Sequence, residues 1–144
     1  VSAPPSLSVV DPFDLPEWLG ESEVTWTPEV GVRTGHHVVG RLSADDRGAQ
    51  ELACDLLAVD EAYPSPVADD QTRLRAHQAW RHGQILLVDQ DRRLTLAVPG
   101  TGFTADLVLD ALSRLAKAVG ASPDRYAARL RIGAESPRRG PSGR

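Results

Sequence analysis

Gly100-x-Gly102-x-x-Ala105 follows an alternating apolar run and precedes a helical one, the spacing of a dinucleotide-binding turn. Glycines there let backbone amides approach a pyrophosphate, and the positive end of the following helix favours an anion. Thr104 is the expected N-cap, and Arg81 or Arg93 could supply the cation. This constellation would make a small-anion or nucleotide binder. The context argues for an ordinary tight turn instead. The strand before it belongs to a hairpin, and the sequence shows no clear strand after the helix to carry an acid to a ribose. Asp124 has a suitable spacing but sits beside Pro123 at a helix start.

The histidines form two groups, His36-His37 and His77 with His82. Neighbouring strand residues face opposite ways, so His36 and His37 cannot share one metal from a regular strand. Joining His77, Asp70 and one strand histidine would give a metal-dependent enzyme, a second alternative; zinc needs three or four convergent ligands. Surface or partly buried hydrogen-bonding histidines are the structural reading, and no metal or cofactor is expected. Within the polar run Asp69–His82, a face carrying His77, Trp80 and Arg81 could hold an anion or a partner carboxylate. It reads equally as a solvated face with one aromatic anchored in the core. Nucleophilic catalysis finds no support: Cys54 lies in an apolar strand, prolines hem Ser65, and no G-x-S-x-G elbow occurs. Asp45-Asp46 and Asp69-Asp70 fall at turn and cap positions, where aspartate belongs structurally. No catalytic residue is assigned, and the polar groups are expected to be scattered.

The elements that must position these residues are organised around 93–120. Leu94, Leu96 and Val98 read as a strand, and Thr104 starts a long helix with Asp106 in its first turn. Phe103 and Val108 stand in staple positions. Val108, Ala111, Leu112, Leu115, Ala116 and Val119 form the stripe of a helix laid on a core, ended by Gly120. Upstream, residues 1–10 are expected to form a flexible arm. Asp14 and Glu17 have capping-box spacing around Pro16, with Gly20 as a stop; the resulting turn carries Phe13, Leu15, Trp18 and Leu19 as a lid or a docking segment. Val24 to Val59 reads as three antiparallel strands broken at 29–35 and 45–48, with the last strand central. After Tyr63-Pro64-Ser65-Pro66, a helix is expected to start at Pro66 or after Asp69 or Asp70 and to end at His82-Gly83. Its apolar face is Leu74, Ala76, Ala79 and Trp80, with Arg73, Arg75 and Arg81 outward. A hairpin, Ile85–Val88 with Leu94–Val98, follows. Ser122-Pro123 should cap a short helix running toward Ile132.

One domain over 11–133 with a disordered basic tail at 134–144 is the expected organisation. The 144 residues are 41% hydrophobic, enough for a packed core without staples. A lone cysteine excludes an intramolecular disulfide, and neither a membrane span nor a signal peptide is read, so a cytoplasmic protein is expected. The net charge of -4 leaves -6 outside the tail, which disfavours nucleic acid. Lys117 stands alone among fifteen arginines, a GC-rich codon bias.

The order βββ-α-ββ-α implies an α+β fold: an antiparallel sheet of about five strands with helices on one face. That order is similar to secretion chaperones and to the dimeric domains sharing their fold. The phrases Asp11-Pro12-Phe13-Asp14-Leu15-Pro16 and Ala76-His77-Gln78-Ala79-Trp80-Arg81-His82-Gly83 resemble those of small uncharacterised proteins from GC-rich bacterial genomes. The functional expectation is a non-enzymatic binding or adaptor protein, chaperone-like or regulatory. It is expected to be a homodimer or bound to a protein partner through the sheet or the Trp80 face.

Overall fold

A computed structural model describes residues 7–29, 36–44, 50–60 and 67–130. Of the breaks expected at 29–35, 45–48 and 63–66, all but Glu29 lie outside the described residues, as do the first six residues of the arm and the basic tail. In chain order the elements are β1 (Ser8–Val9), α1 (Trp18–Glu21), β2 (Val24–Pro28), β3 (His37–Val38), β4 (Gly40–Ala44), β5 (Glu51–Ala58), α2 (Asp70–Arg81), β6 (Leu86–Gln90), β7 (Arg93–Val98), α3 (Ala105–Ala118) and β8 (Tyr126–Ala128). Short 3-10 turns cover Pro12–Asp14 and Pro123–Arg125.

The α+β class holds, and the sheet departs from expectation. It has eight strands, in the order β1-β6-β7-β5-β4-β2-β8, with β3 also on β5. The three-strand unit β2-β4-β5 and the β6-β7 hairpin are antiparallel as expected. The two units meet in a parallel pair, Cys54↔Leu94 through Ala58↔Val98, and β8 lies parallel to β2. The sheet is therefore mixed. Three short pieces account for the additional strands. Ser8–Val9, within the expected arm, pairs with β6. β3 and β4 are one strand interrupted at Val39. Ser122 and Pro123 do start a turn, but it lasts three residues before the chain joins the edge of β2 instead of continuing as a helix.

The helices do not share a face. Side chains alternate across a strand. Leu56 and Leu96 accordingly join the core beneath α3, and Leu57 and Ala97 the smaller core containing Ala76 of α2. Val108, Ala111, Leu112, Leu115 and Ala116 are the buried residues of α3, the expected stripe, and Thr104 caps it by accepting a bond from the Leu107 amide. Asp69 caps α2, accepting from the Thr72 amide at 2.7 Å. The buried residues of α2 are Thr72 and Ala76, while Leu74 is 59% exposed. Two residues from either of these is 200° of helix, which turns Leu74 outward. Arg73 is tucked in instead, donating to the Ala68 carbonyl at 3.2 Å.

Trp26 organises the other half of the core. It is fully buried, its Nε1 donates to the Cys54 carbonyl at 2.9 Å, and its ring lies over Gly40. A Cβ at position 40 would stand 2.6 Å from three indole atoms. Gly40→Ala is therefore expected to cost about 2 kcal/mol through overpacking. Urea unfolding followed by circular dichroism measures it, and an unchanged midpoint would mean the ring can shift freely.

Candidate functional site

Two places gather polar or exposed apolar side chains. The first is the part of the sheet face that α2 leaves open. Asp55 sits in the middle of β5 with its side chain 3% exposed, a carboxylate among apolar neighbours. Such a charge needs partners, because an unpaired buried ion is costly. Arg93, opening β7, donates from Nε to both carboxylate oxygens at 3.0 and 3.1 Å. The same guanidinium donates from Nη2 to the Gly40 carbonyl at 2.9 Å and to Glu29 at 3.2 Å. The Gly40 amide donates to Asp55 Oδ1 at 3.3 Å, and His37 Nε2 stands 3.4 Å from Oδ2. Arg41 extends the cluster to Glu29 and Glu51. Burial opposes the charge on Asp55, but His37, Arg93 and the Gly40 amide together hold its carboxyl below the usual carboxylate range.

The expectation that polar side chains are scattered is thus corrected: six of them, Glu29, His37, Arg41, Glu51, Asp55 and Arg93, gather around β5. Their mutual geometry is that of a clamp. Both Asp55 oxygens are engaged, and Arg93 links β7 to β5, β4 and the end of β2. A shallow hollow of about 250 Å³ adjoins it, lined by Thr27, Pro28, Glu29, Arg41 and Ser43. Cys54, one residue away, is fully buried, and burial first, then the Asp55 charge, push its thiol up, so no thiolate nucleophile is available there.

The second place is a groove of about 530 Å³ at the β1 edge of the sheet. Its floor is Val9, Val10, Ile85 and Leu87, and its rim carries Gly83, Gln84 and, from α3, Arg114, Lys117 and Ala118. The Val10 amide donates to the Leu87 carbonyl at 2.7 Å, and Pro12, in the following 3-10 turn, also lines the groove. Arg114 builds one wall. Its guanidinium lies 3.5 Å from the Trp80 ring centroid and donates to the Trp80 and Gln84 carbonyls at 2.7 and 3.1 Å. Asp110 takes its remaining donors.

The residues singled out in the sequence do not assemble into one site. Trp80 is half-buried against Arg114, whereas His77 and Arg81 are exposed on α2. Arg93 stands at the opposite end of β7 from Gly100, Gly102 and Thr104, roughly 17 Å away at strand rise. It is already committed to Asp55 and Glu29 and cannot serve an anion at the Gly100–Gly102 turn. Gly100 takes φ +136°, a conformation open to glycine. Among the described residues no three His, Cys, Asp or Glu side chains form a metal-holding group, and His77 does not join the strand histidines in one. The Phe13–Leu19 segment divides: Leu19 is fully buried, Leu15 and Trp18 pack on the same core, and Phe13 is 96% exposed. Tyr126 fixes the segment by donating its hydroxyl hydrogen to the Leu19 carbonyl.

Sequence reasoning passed over Asp55, Glu29, Arg114 and Lys117. Asp55 did leave a signal, an acid inside the apolar run Cys54–Val59, which demands a cation from elsewhere. Arg114 left none, since its partners depend on how α2 meets α3. No protein-family model, curated protein or solved structure matches the chain.

Proposed function

We propose that this chain is a non-enzymatic binding or adaptor domain, acting in the cytoplasm, whose working surface is the groove between the β1 edge and α3. The observation that carries this reading is the groove itself: about 530 Å³, apolar on its floor, with Lys117 on its α3 rim beside an Arg114 already paired with Asp110. That volume lies in the range of ligand sites. An apolar floor wants an aromatic or aliphatic anchor, and Lys117 beside it wants an acid next to that anchor. The ligand class is therefore a short segment with one large apolar residue flanked by carboxylates. The Asp55 cluster supports the same conclusion from the other side, because its charges are satisfied internally.

Selection of random peptides on the immobilised protein tests the reading. Enriched sequences are expected to carry an aromatic or aliphatic residue between Asp or Glu. Ala118→Glu, on the exposed rim, sets a bulky acid beside the site proposed for the peptide's carboxylates and should weaken the selected peptides at least about tenfold without loss of fold, as glutamate is a good helix former. Peptides whose binding ignores both Ala118→Glu and Lys117→Glu would sink the assignment.

A further inference from the structure

We infer that the segment filling this groove is the Asp11–Asp14 turn of a second copy of the same chain, exchanged reciprocally between two protomers. The inference rests on the groove being the binding surface, and it names the occupant. Phe13 is 96% exposed, on a turn that is anything but loose. Asp11 accepts the Phe13 amide on its side chain at 3.0 Å and the Asp14 amide on its carbonyl at 2.9 Å, and the Leu15 amide donates to the Pro12 carbonyl at 3.1 Å. An aromatic ring held out on a rigid turn is a pre-organised anchor that loses little freedom on docking.

Phe13 also has the flanks that the groove calls for. Asp11 and Asp14 stand on either side of it, and Lys117 stands exposed on the groove rim. Charge and shape are thus complementary within a single sequence. Pro12 belongs both to the turn and to the groove wall, so donor and acceptor surfaces are contiguous. Contiguity permits closure: a two-fold axis beside Pro12 puts each Phe13 into the other groove, the self-complementary patch of a two-fold dimer. The groove also adjoins β1, the terminal strand of the sheet among the described residues.

Sedimentation equilibrium of the full chain over a wide concentration range tests this. The wild type should dimerise, and Phe13→Ala should raise the dimer dissociation constant about 30-fold or more, the effect of removing a central aromatic anchor. Asp14→Lys and Lys117→Glu should each weaken the dimer, and the two together in one chain should restore it. All three positions are exposed in the single chain, so unfolding midpoints measured below the dimer dissociation constant should stay unchanged. A second arm titrates a synthetic peptide of residues 10–17 into the Phe13→Ala chain and follows the amides of Ile85 and Lys117 by NMR. Dimer loss in Phe13→Ala, with peptide binding at those amides, supports the inference. A wild-type monomer whose groove still takes the peptide overturns the exchange and leaves the groove reading standing. A dimer indifferent to Phe13→Ala and Lys117→Glu overturns it by placing the interface elsewhere. A monomer that ignores the peptide overturns the exchange and counts against the groove reading as well.

Discussion

Asp55→Ala is expected to lower the free energy of unfolding by about 3 kcal/mol, close to the lower bound for breaking a buried ion pair from one side. The discount reflects Arg93, whose side chain is 30% exposed and keeps Glu29 at 3.2 Å. Two bonds to Arg93 Nε and one from the Gly40 amide disappear, and three strands lose their common anchor. Asp55→Asn should fall between wild type and alanine, since an amide oxygen still accepts from Arg93. The same residue sets an acid limb. Its folded carboxyl titrates lower than an unfolded aspartate. The stabilisation is therefore fully present above about pH 4, the ordinary aspartate value, and is lost as pH falls below that through the lowered folded value. Urea midpoints collected from pH 7 downward measure both effects. Wild type and Asp55→Asn should converge at the acid end, and curves that stay parallel would rule out a stabilising charge on Asp55.

Trp26→Ala should be costlier still, about 4 kcal/mol, from the cavity left by the largest fully buried side chain and from the Cys54 carbonyl left without its indole donor. Against a total of roughly 5–15 kcal/mol for a domain, that is a large fraction. Trp26→Phe should cost less, keeping most of the apolar volume while losing the hydrogen bond. The Gly40 contact supplies an internal check. Gly40→Ala is penalised because of the ring above it, so its cost should shrink or reverse in the Trp26→Ala background. Additive costs would show that the two residues do not press on each other.

What could be read from the sequence was local. The α3 stripe, its Thr104 cap and the Asp69 cap depend on residues within one or two helical turns, and all three stand in the structure. The β6-β7 hairpin was legible for the same reason, although its turn falls at Asp91-Arg92, both at positive φ, and shares only Asp91 with the Asp89-Gln90-Asp91 turn that the sequence suggests. The parallel pairing of β5 with β7 was not legible. Nothing between residues 58 and 93 signals that the chain returns to lie beside its own earlier strand, and a hairpin with antiparallel neighbours is the simpler reading of the same pattern. The Ser122-Pro123 signature was honoured by one short turn, after which hydrogen bonding to the free edge of β2 outweighed helix continuation. The Asp55 clamp draws on positions 29, 37, 40 and 93, which only the strand order brings together. Phe13 was legible as a member of a lid or docking segment, and the structure separates it from Leu15, Trp18 and Leu19 by burial.

The pairing of β8 with β2 joins residues roughly a hundred positions apart. A ribosome delivers Val24 long before Tyr126, so during synthesis the outer flank of β2 emerges with its hydrogen-bonding groups unsatisfied and must wait for its final neighbour. The parallel seam at the middle of the sheet imposes the same delay on Cys54–Ala58, which cannot close until Val98 has appeared. Nascent chains of this protein thus carry open strand flanks until Val98 and then Tyr126 emerge, a period when self-association or a holding factor would compete with completion of the sheet.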